Sequence, residues 1–242
     1  MKIEKIVLTG FLFLNLIGVS PVWAKEPIEV TQAKEAVRQN PSSAKAHCEL
    51  GIKLYKEGSH EEAASEWAET LKLDPQYAQA HLNIGLSLYD RSKNEEAAAE
   101  YQKAIDIKPD YAEAWFRLGE AHYDMGQLET ATSDWEKAVQ LAPDMPDLHD
   151  SLGMAYHDQK KFQDAVKEYQ TAIRIKPKDL EVYKHLGLAL REAGRYDEAI
   201  QAFDDLIHHA PYKMQDEIHA AEELIEETKA LKSKGGARTV DT

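Results

Sequence analysis

The chain has 242 residues, 30% of them charged, and carries a formal net charge of −14 at pH 7. An acidic surface of this size argues against binding to nucleic acid or to anionic lipid, because both need clustered Lys and Arg. With Cys48 as the only cysteine, no intramolecular disulfide can form.

The first 24 residues have the pattern of a secretory signal. Lys2 and Lys5 precede an apolar run over 6–19, and Val-Trp-Ala at 22–24 gives a small-residue cleavage pattern. The run is shorter than the roughly 20 residues that a membrane-spanning helix needs. We therefore expect cleavage after Ala24, an exported protein (periplasmic or secreted), and no stable membrane insertion afterwards. Retention of 1–24 as an anchor is the alternative.

Residues 25–43 form a predicted leader or capping helix, because Val30, Ala33, Ala36 and Val37 share one helical face.

Five rows of 34 residues then follow without insertion. In the third row the marker residues are Gly119, Ala131, Trp135 and Pro143, and each recurs in type at the same position of every other row. A period of 20 to 50 residues indicates a repeat array. The predicted repeats are 44–77, 78–111, 112–145, 146–179 and 180–213.

Each row has the spacing of two helices. Trp115, Leu118 and Gly119 share one helical face, and a second stripe carries Ala131 and Trp135. A glycine between them suits the turn, and the proline ends the second helix. Beyond the rows, 214–234 is predicted as a capping helix and 235–242 as a disordered tail.

These columns resemble the tetratricopeptide repeat, and the resemblance covers 44–213. It implies an all-α fold, a right-handed superhelical solenoid of antiparallel helix pairs with a C-terminal capping helix. In this family the first helix of each row lines a concave groove. The groove residues expected here are Cys48, Ile52, Tyr55, Leu82, Asn83, Leu86, Tyr89, Asp90, Phe116, Arg117, Glu120, Tyr123, Asp124, Met154, His157, Asp158, Lys184 and Arg191.

The early rows of this groove are apolar and rich in tyrosine, with Asp90 and Asp124 at the edge. Aromatic side chains are enriched at binding hot spots. The expected partner is therefore a protein, bound as a peptide or helix with apolar and basic residues. Cys48 lies in the same stripe, which leaves open either an inert buried thiol or a mixed disulfide with the partner.

The sequence offers no catalytic constellation, and we expect neither enzyme activity nor a cofactor. The repeated histidines His47, His81 and His149 lie in adjacent or more distant rows, too far apart to share a metal ion, since packed helices are about 8–10 Å apart. The chain is predicted to be a scaffold or adaptor of the cell envelope, or an assembly factor. The alternatives are a self-associating module that forms a homo-oligomer and an accessory subunit of an exported enzyme complex.

If 1–24 is a cleaved signal, the protein exported by its host will begin at Lys25. Mass spectrometry of the intact protein measures this directly, with cytosolic protein from the same cells as the uncleaved control. Retention of Met1 in the exported form would establish the anchor instead.

Overall fold

A computed structural model describes residues 27–238, with side chains to 234, and every regular element in that range is an α-helix. The predicted signal at 1–24 lies outside the described residues. The helices are α1 (Ile28–Gln39), α2 (Ala44–Lys56), α3 (His60–Leu73), α4 (Ala78–Tyr89), α5 (Asn94–Ile107), α6 (Ala112–Asp124), α7 (Leu128–Leu141), α8 (Pro146–Asp158), α9 (Phe162–Ile175), α10 (Leu180–Glu192), α11 (Tyr196–His209) and α12 (Gln215–Arg238).

The turns between first and second helices contain one residue in the left-handed region. Gly58, Gly126 and Gly194 have φ of 74° to 81°, a conformation that glycine adopts without steric penalty. Two rows place other residues there, Ser92 with φ 57° and Lys160 with φ 59°. These two rows therefore have the same left-handed turn although they lack the glycine.

The described residues divide into two compact units, 27–75 and 76–238. In unit 1, α1 packs on α2 and α2 packs on α3. Val30 of α1 is buried, and Lys53 Nζ lies 2.6 Å from Glu29 Oε2, which ties α2 to α1. The leader helix thus covers the first helix pair within its own unit.

Unit 2 contains α4 to α12, and each helix packs on the next along the chain. The first helices also contact one another, α4 with α6, α6 with α8 and α8 with α10. They therefore lie side by side, and we call the surface that α4, α6, α8 and α10 form the first-helix face.

Helix α12 packs on α11, with Ala221, Ile225 and Thr228 buried. It extends to Arg238, four residues past the predicted boundary at 234, so the expected tail begins later than Gly235. Glycine weakens a helix by about 1 kcal/mol relative to alanine but does not forbid it, which is why Gly235 and Gly236 were misread as its end. The rest of that tail, 239–242, lies outside the described residues.

Close contact between a glycine and an aromatic ring joins the helices of each pair. A Cβ atom placed on Gly119 would lie 2.5 Å from Trp135 Nε1, and one on Gly153 would lie 2.5 Å from Tyr169 Cε1. Real Cβ atoms do not approach so closely. The glycine column is therefore required by the aromatic column opposite it.

The residue near the start of each first helix makes a polar contact that the sequence analysis did not predict. Nitrogen atoms of His47, Trp115 and His149 and the hydroxyl of Tyr183 lie 2.9–3.1 Å from the carbonyl of the proline six residues earlier. Three histidines of this column also bond a glutamate of the second helix, in the pairs His47–Glu66, His81–Glu100 and His149–Glu168.

His47 donates from both ring nitrogens, to the Glu66 carboxylate and to the Pro41 carbonyl, because neither of those groups can donate. Burial lowers the pKa of His47, but these two bonds and the charges of Glu66 and Glu69 raise it, and the net pKa is above the usual value. The folded form therefore favours the imidazolium.

Gly119→Ala should destabilise the protein by about 1–3 kcal/mol, the usual range for an overpacked core. In a Trp135→Leu background the same change should cost little, because the ring it meets is gone. Denaturant unfolding of the four proteins measures both effects. An equal loss in the two backgrounds would contradict the proposed contact.

The His47 contact should make unit 1 less stable as the pH rises. The pKa of His47 is raised in the folded protein. The stability that the charged histidine adds is therefore complete below the unfolded pKa of about 6.5 and is lost as the pH rises through the folded pKa. Hydrogen exchange of α2 and α3, corrected for intrinsic rates, should therefore report lower protection at pH 8 than at pH 6.5.

His47→Tyr is the matched control, because Tyr183 is the equivalent residue of the fifth repeat and its hydroxyl bonds the Pro177 carbonyl. The variant should lose the pH dependence. The same dependence in wild type and variant would rule out His47 as its source.

Candidate functional site

Four of the predicted groove residues are core residues. Cys48, Leu82, Asn83 and Phe116 are 1–7% exposed, so their side chains offer no contact surface and the prediction is corrected for them. Leu82 clusters with residues of α5 and α6, and Phe116 with residues of α7 and α8. Leu82 and Phe116 therefore face the following repeat. The burial of Cys48 gives no support to a disulfide with a partner.

The other predicted residues are half-buried or exposed. Ile52 and Tyr55 lie on α2 in unit 1. Those of unit 2 are Leu86, Tyr89, Asp90, Arg117, Glu120, Tyr123, Asp124, Met154, His157, Asp158, Lys184 and Arg191. The first-helix face therefore presents most of the residues that the sequence assigned to binding.

Two tyrosines of this face bond to the next first helix. The Tyr89 hydroxyl donates to Asp124 Oδ2 and the Tyr123 hydroxyl to Asp158 Oδ2, each at 2.5 Å. Burial and then the bond to Asp158 raise the pKa of Tyr123 to about 12, so the hydroxyl stays a neutral donor. The signal in the sequence is an aspartate 35 residues after each tyrosine, which the groove interpretation had used only as an edge charge.

The basic residues of the face are paired within the chain. Arg117 Nη1 lies 2.8 Å from Glu120 Oε2, Lys184 Nζ lies 2.9 Å from Glu181 Oε1, and Arg191 Nη1 lies 3.2 Å from Glu227 Oε2. These contacts reduce the positive charge that the later rows present to a partner.

An open pocket of about 170 Å³ lies on the face, between α6, α8 and α10. Its lining residues are Tyr123, Met154, His157, Asp158, Tyr169, His185 and Leu188. Four of them were predicted groove residues. His185 and Leu188 belong to the same first-helix columns but were not among the residues selected, and Tyr169 was missed because its column forms the buried stripe of the second helix.

Tyr169 is 2% exposed and contributes to the pocket lining. Burial raises its pKa, and the charges of Asp150 and Asp158 raise it further. His185 Nδ1 lies 2.8 Å from Asp150 Oδ1, which directs the imidazole toward α8. The pocket therefore combines apolar walls with a tyrosine hydroxyl and nearby carboxylates.

Other site types have less support. No group of three or more His, Cys, Asp or Glu side chains in the described part of the chain is arranged to hold a metal ion. Within the same part, no helix has the length and apolar character needed to cross a membrane.

Solved structures with the same fold include tetratricopeptide proteins. MamA is 26% identical, with 66% of this chain and 94% of MamA covered and a TM-score of 0.62. YrrB, described as a TPR protein with an unusual peptide-binding site, is 18% identical, with 80% and 99% covered and a TM-score of 0.66. PilF of Pseudomonas aeruginosa is 19% identical, with 82% and 99% covered and a TM-score of 0.64. Comparison with curated protein sequences gives no match.

Family profiles described as TPR repeat or tetratricopeptide repeat match residues 51–90, 85–126, 112–145 and 151–213. Together they span more than half of the chain, and proteins with these repeats are generally non-catalytic interaction scaffolds. The chain belongs to the tetratricopeptide repeat family.

Proposed function

We propose that this protein is a non-catalytic scaffold that binds a polypeptide segment of a partner on the first-helix face of unit 2. The observation that carries the proposal is the open pocket lined by Tyr123, Met154 and Leu188. Pockets that anchor a partner are concave and mostly apolar, with a few placed polar groups. The likeness to YrrB supports this choice, because it shows that the fold can hold a peptide.

The face is suited to a segment with apolar and basic residues. Met154 and Leu188 supply apolar walls, and Asp158 is an exposed carboxylate in the same lining. Asp124 is a second exposed carboxylate of the first-helix face. The net charge of −14 favours encounter with a basic segment at low ionic strength.

The tyrosines on the face are held in place before a partner arrives. Tyr89 and Tyr123 are each fixed at the hydroxyl by an aspartate of the next repeat. A side chain that is already ordered loses less entropy on binding, which strengthens the interaction. Replacing either tyrosine by alanine would also remove a bond between repeats, so such variants do not separate binding from packing.

The proposal places the scaffold in the cell envelope. The signal pattern of residues 1–24 supports this location, and the fold does not bear on it. A role in assembling other exported proteins is the form of scaffold activity that this location favours.

Leu188→Glu should weaken peptide binding at least tenfold, because it places a carboxylate in the apolar wall of the pocket. Random 12-residue peptides displayed on phage and selected on the full chain provide the ligands. Enrichment of apolar and basic residues is expected, and affinities of the selected peptides are then measured for wild type and variant by fluorescence anisotropy.

Ala99→Glu is the matched control, since it adds the same charge at an exposed position of α5 outside the face. It should bind the selected peptides as wild type does, and thermal unfolding by circular dichroism checks that both variants are folded. Selected peptides that bind Leu188→Glu and wild type equally well would contradict the proposed site, and failure to select any peptide would contradict the proposed function.

A further inference from the structure

The pocket has an equivalent place two repeats earlier in the same unit. Positions 68 residues apart correspond, so Tyr101 matches Tyr169, and Gly85 and Gly153 lie against their rings. Both tyrosines are almost fully buried, at 0% and 2% exposure. The remaining corresponding positions are Leu86 with Met154, Arg117 with His185, and Glu120 with Leu188.

At the earlier place an arginine of the chain lies close to the tyrosine. Arg117 bonds Glu120 at 2.8 Å, and both side chains are half-buried. The Tyr101 hydroxyl is closed off from solvent and has no partner. Burial raises the pKa of Tyr101, the charge of Arg117 lowers it, and the charge of Glu120 raises it.

At the later place the corresponding side chains leave space. His185 is shorter than arginine and turns toward Asp150, and Leu188 carries no charge. The result is the open pocket, with Tyr169 lining it and Asp158 at its edge. No Lys or Arg is among the lining residues, so the carboxylates there have no arginine or lysine beside them within the pocket.

We propose that this pocket receives an arginine side chain of the bound partner, in the position that Arg117 occupies two repeats earlier. The inference rests on the proposed function and names the partner residue. The aliphatic part of the arginine lies along Met154 and Leu188, and its guanidinium bonds Asp158 and the Tyr169 hydroxyl. Arg117 differs in these bonds, because it bonds Glu120 and leaves the Tyr101 hydroxyl unbonded. Five N–H donors in a planar group suit two acceptors of different kinds.

Other side chains fit this pocket less well. A leucine would fill the apolar walls but bring no charge to the Asp158 carboxylate and no donor to the buried Tyr169 side chain. A lysine is a strongly hydrated point charge and cannot bond two acceptors through a planar fork. A glutamate would be repelled by Asp158. Arginine is therefore the preferred residue.

The experiment uses the full chain labelled with ¹³C at its methionine methyl groups, so that Met154 reports on the pocket. The chain contains five methionines, and Met154→Leu identifies the signal. The probe is N-acetyl-arginine N-methylamide, with the lysine and leucine derivatives as comparisons. The arginine probe should shift the Met154 signal saturably and bind more tightly than either comparison.

Asp158→Asn should weaken the arginine probe about tenfold, because it removes a charge-assisted hydrogen bond while keeping the side-chain shape. The double variant His185→Arg/Leu188→Glu rebuilds the Arg117–Glu120 arrangement inside the pocket. It should abolish the shift of Met154 and leave the thermal unfolding temperature close to that of wild type. Ala99→Arg, which adds the same positive charge on α5, is its control and should bind as wild type does.

The outcomes separate this inference from the scaffold function. A leucine probe that shifts Met154 as strongly as the arginine probe would make the pocket an apolar anchor and overturn the inference alone. Selected library peptides that bind wild type while the arginine probe leaves Met154 unchanged would do the same. Failure of every library peptide to bind would overturn both.

Discussion

The structure depends on one van der Waals contact, in which the flat ring of a second helix lies directly on the backbone of its first helix. The contact of Trp135 with Gly119 leaves no room for a methyl group. Interiors are packed at crystal-like density, so the position of one helix fixes that of the other. This contact recurs in every helix pair, and the packing of each pair on the next then places the first helices of unit 2 beside one another.

Repetition of the frame makes differences between repeats easy to interpret. The rings of Tyr101 and Tyr169 lie in matching positions, yet the hydroxyl of Tyr101 is closed off from solvent and Tyr169 lines a pocket. Both tyrosines lie on a second helix against a glycine of the first helix. The neighbouring side chains therefore decide whether a cavity forms. In this chain, variation at positions the family leaves free is what creates a candidate binding site.

The sequence was sufficient for the helix pairs, because they follow from spacing along a single chain segment. It did not predict the glycine–aromatic contacts, which depend on how the two helices of a pair face each other. Placement in the family confirms the repeat type, while the count of five remains a prediction. Interhelical detail was harder to foresee. Phe116 was assigned to the groove and is buried, because its exposure depends on how α7 and α8 cover α6.

Tyr169 shows the opposite error. Its column forms the buried stripe of the second helix, which correctly predicts burial of the ring but says nothing about the end that carries the hydroxyl. Whether that end is covered depends on residues of another helix, His185 and Leu188, which a one-helix pattern does not include. The contacts of the histidine column were not predicted either, since His47 bonds a glutamate and a carbonyl.

Helix α12 also limits how the molecule can grow. Its exposed side carries Glu222, Glu223 and Glu226, and Glu227 is joined to Arg191 of α10. Head-to-tail contact between copies forms open filaments when the rotation does not close a ring. A second molecule approaching through α12 would meet a row of carboxylates, and an acidic chain of this kind repels its own copies there. The acidic outer side of α12 therefore disfavours the stacking of a second copy on that helix.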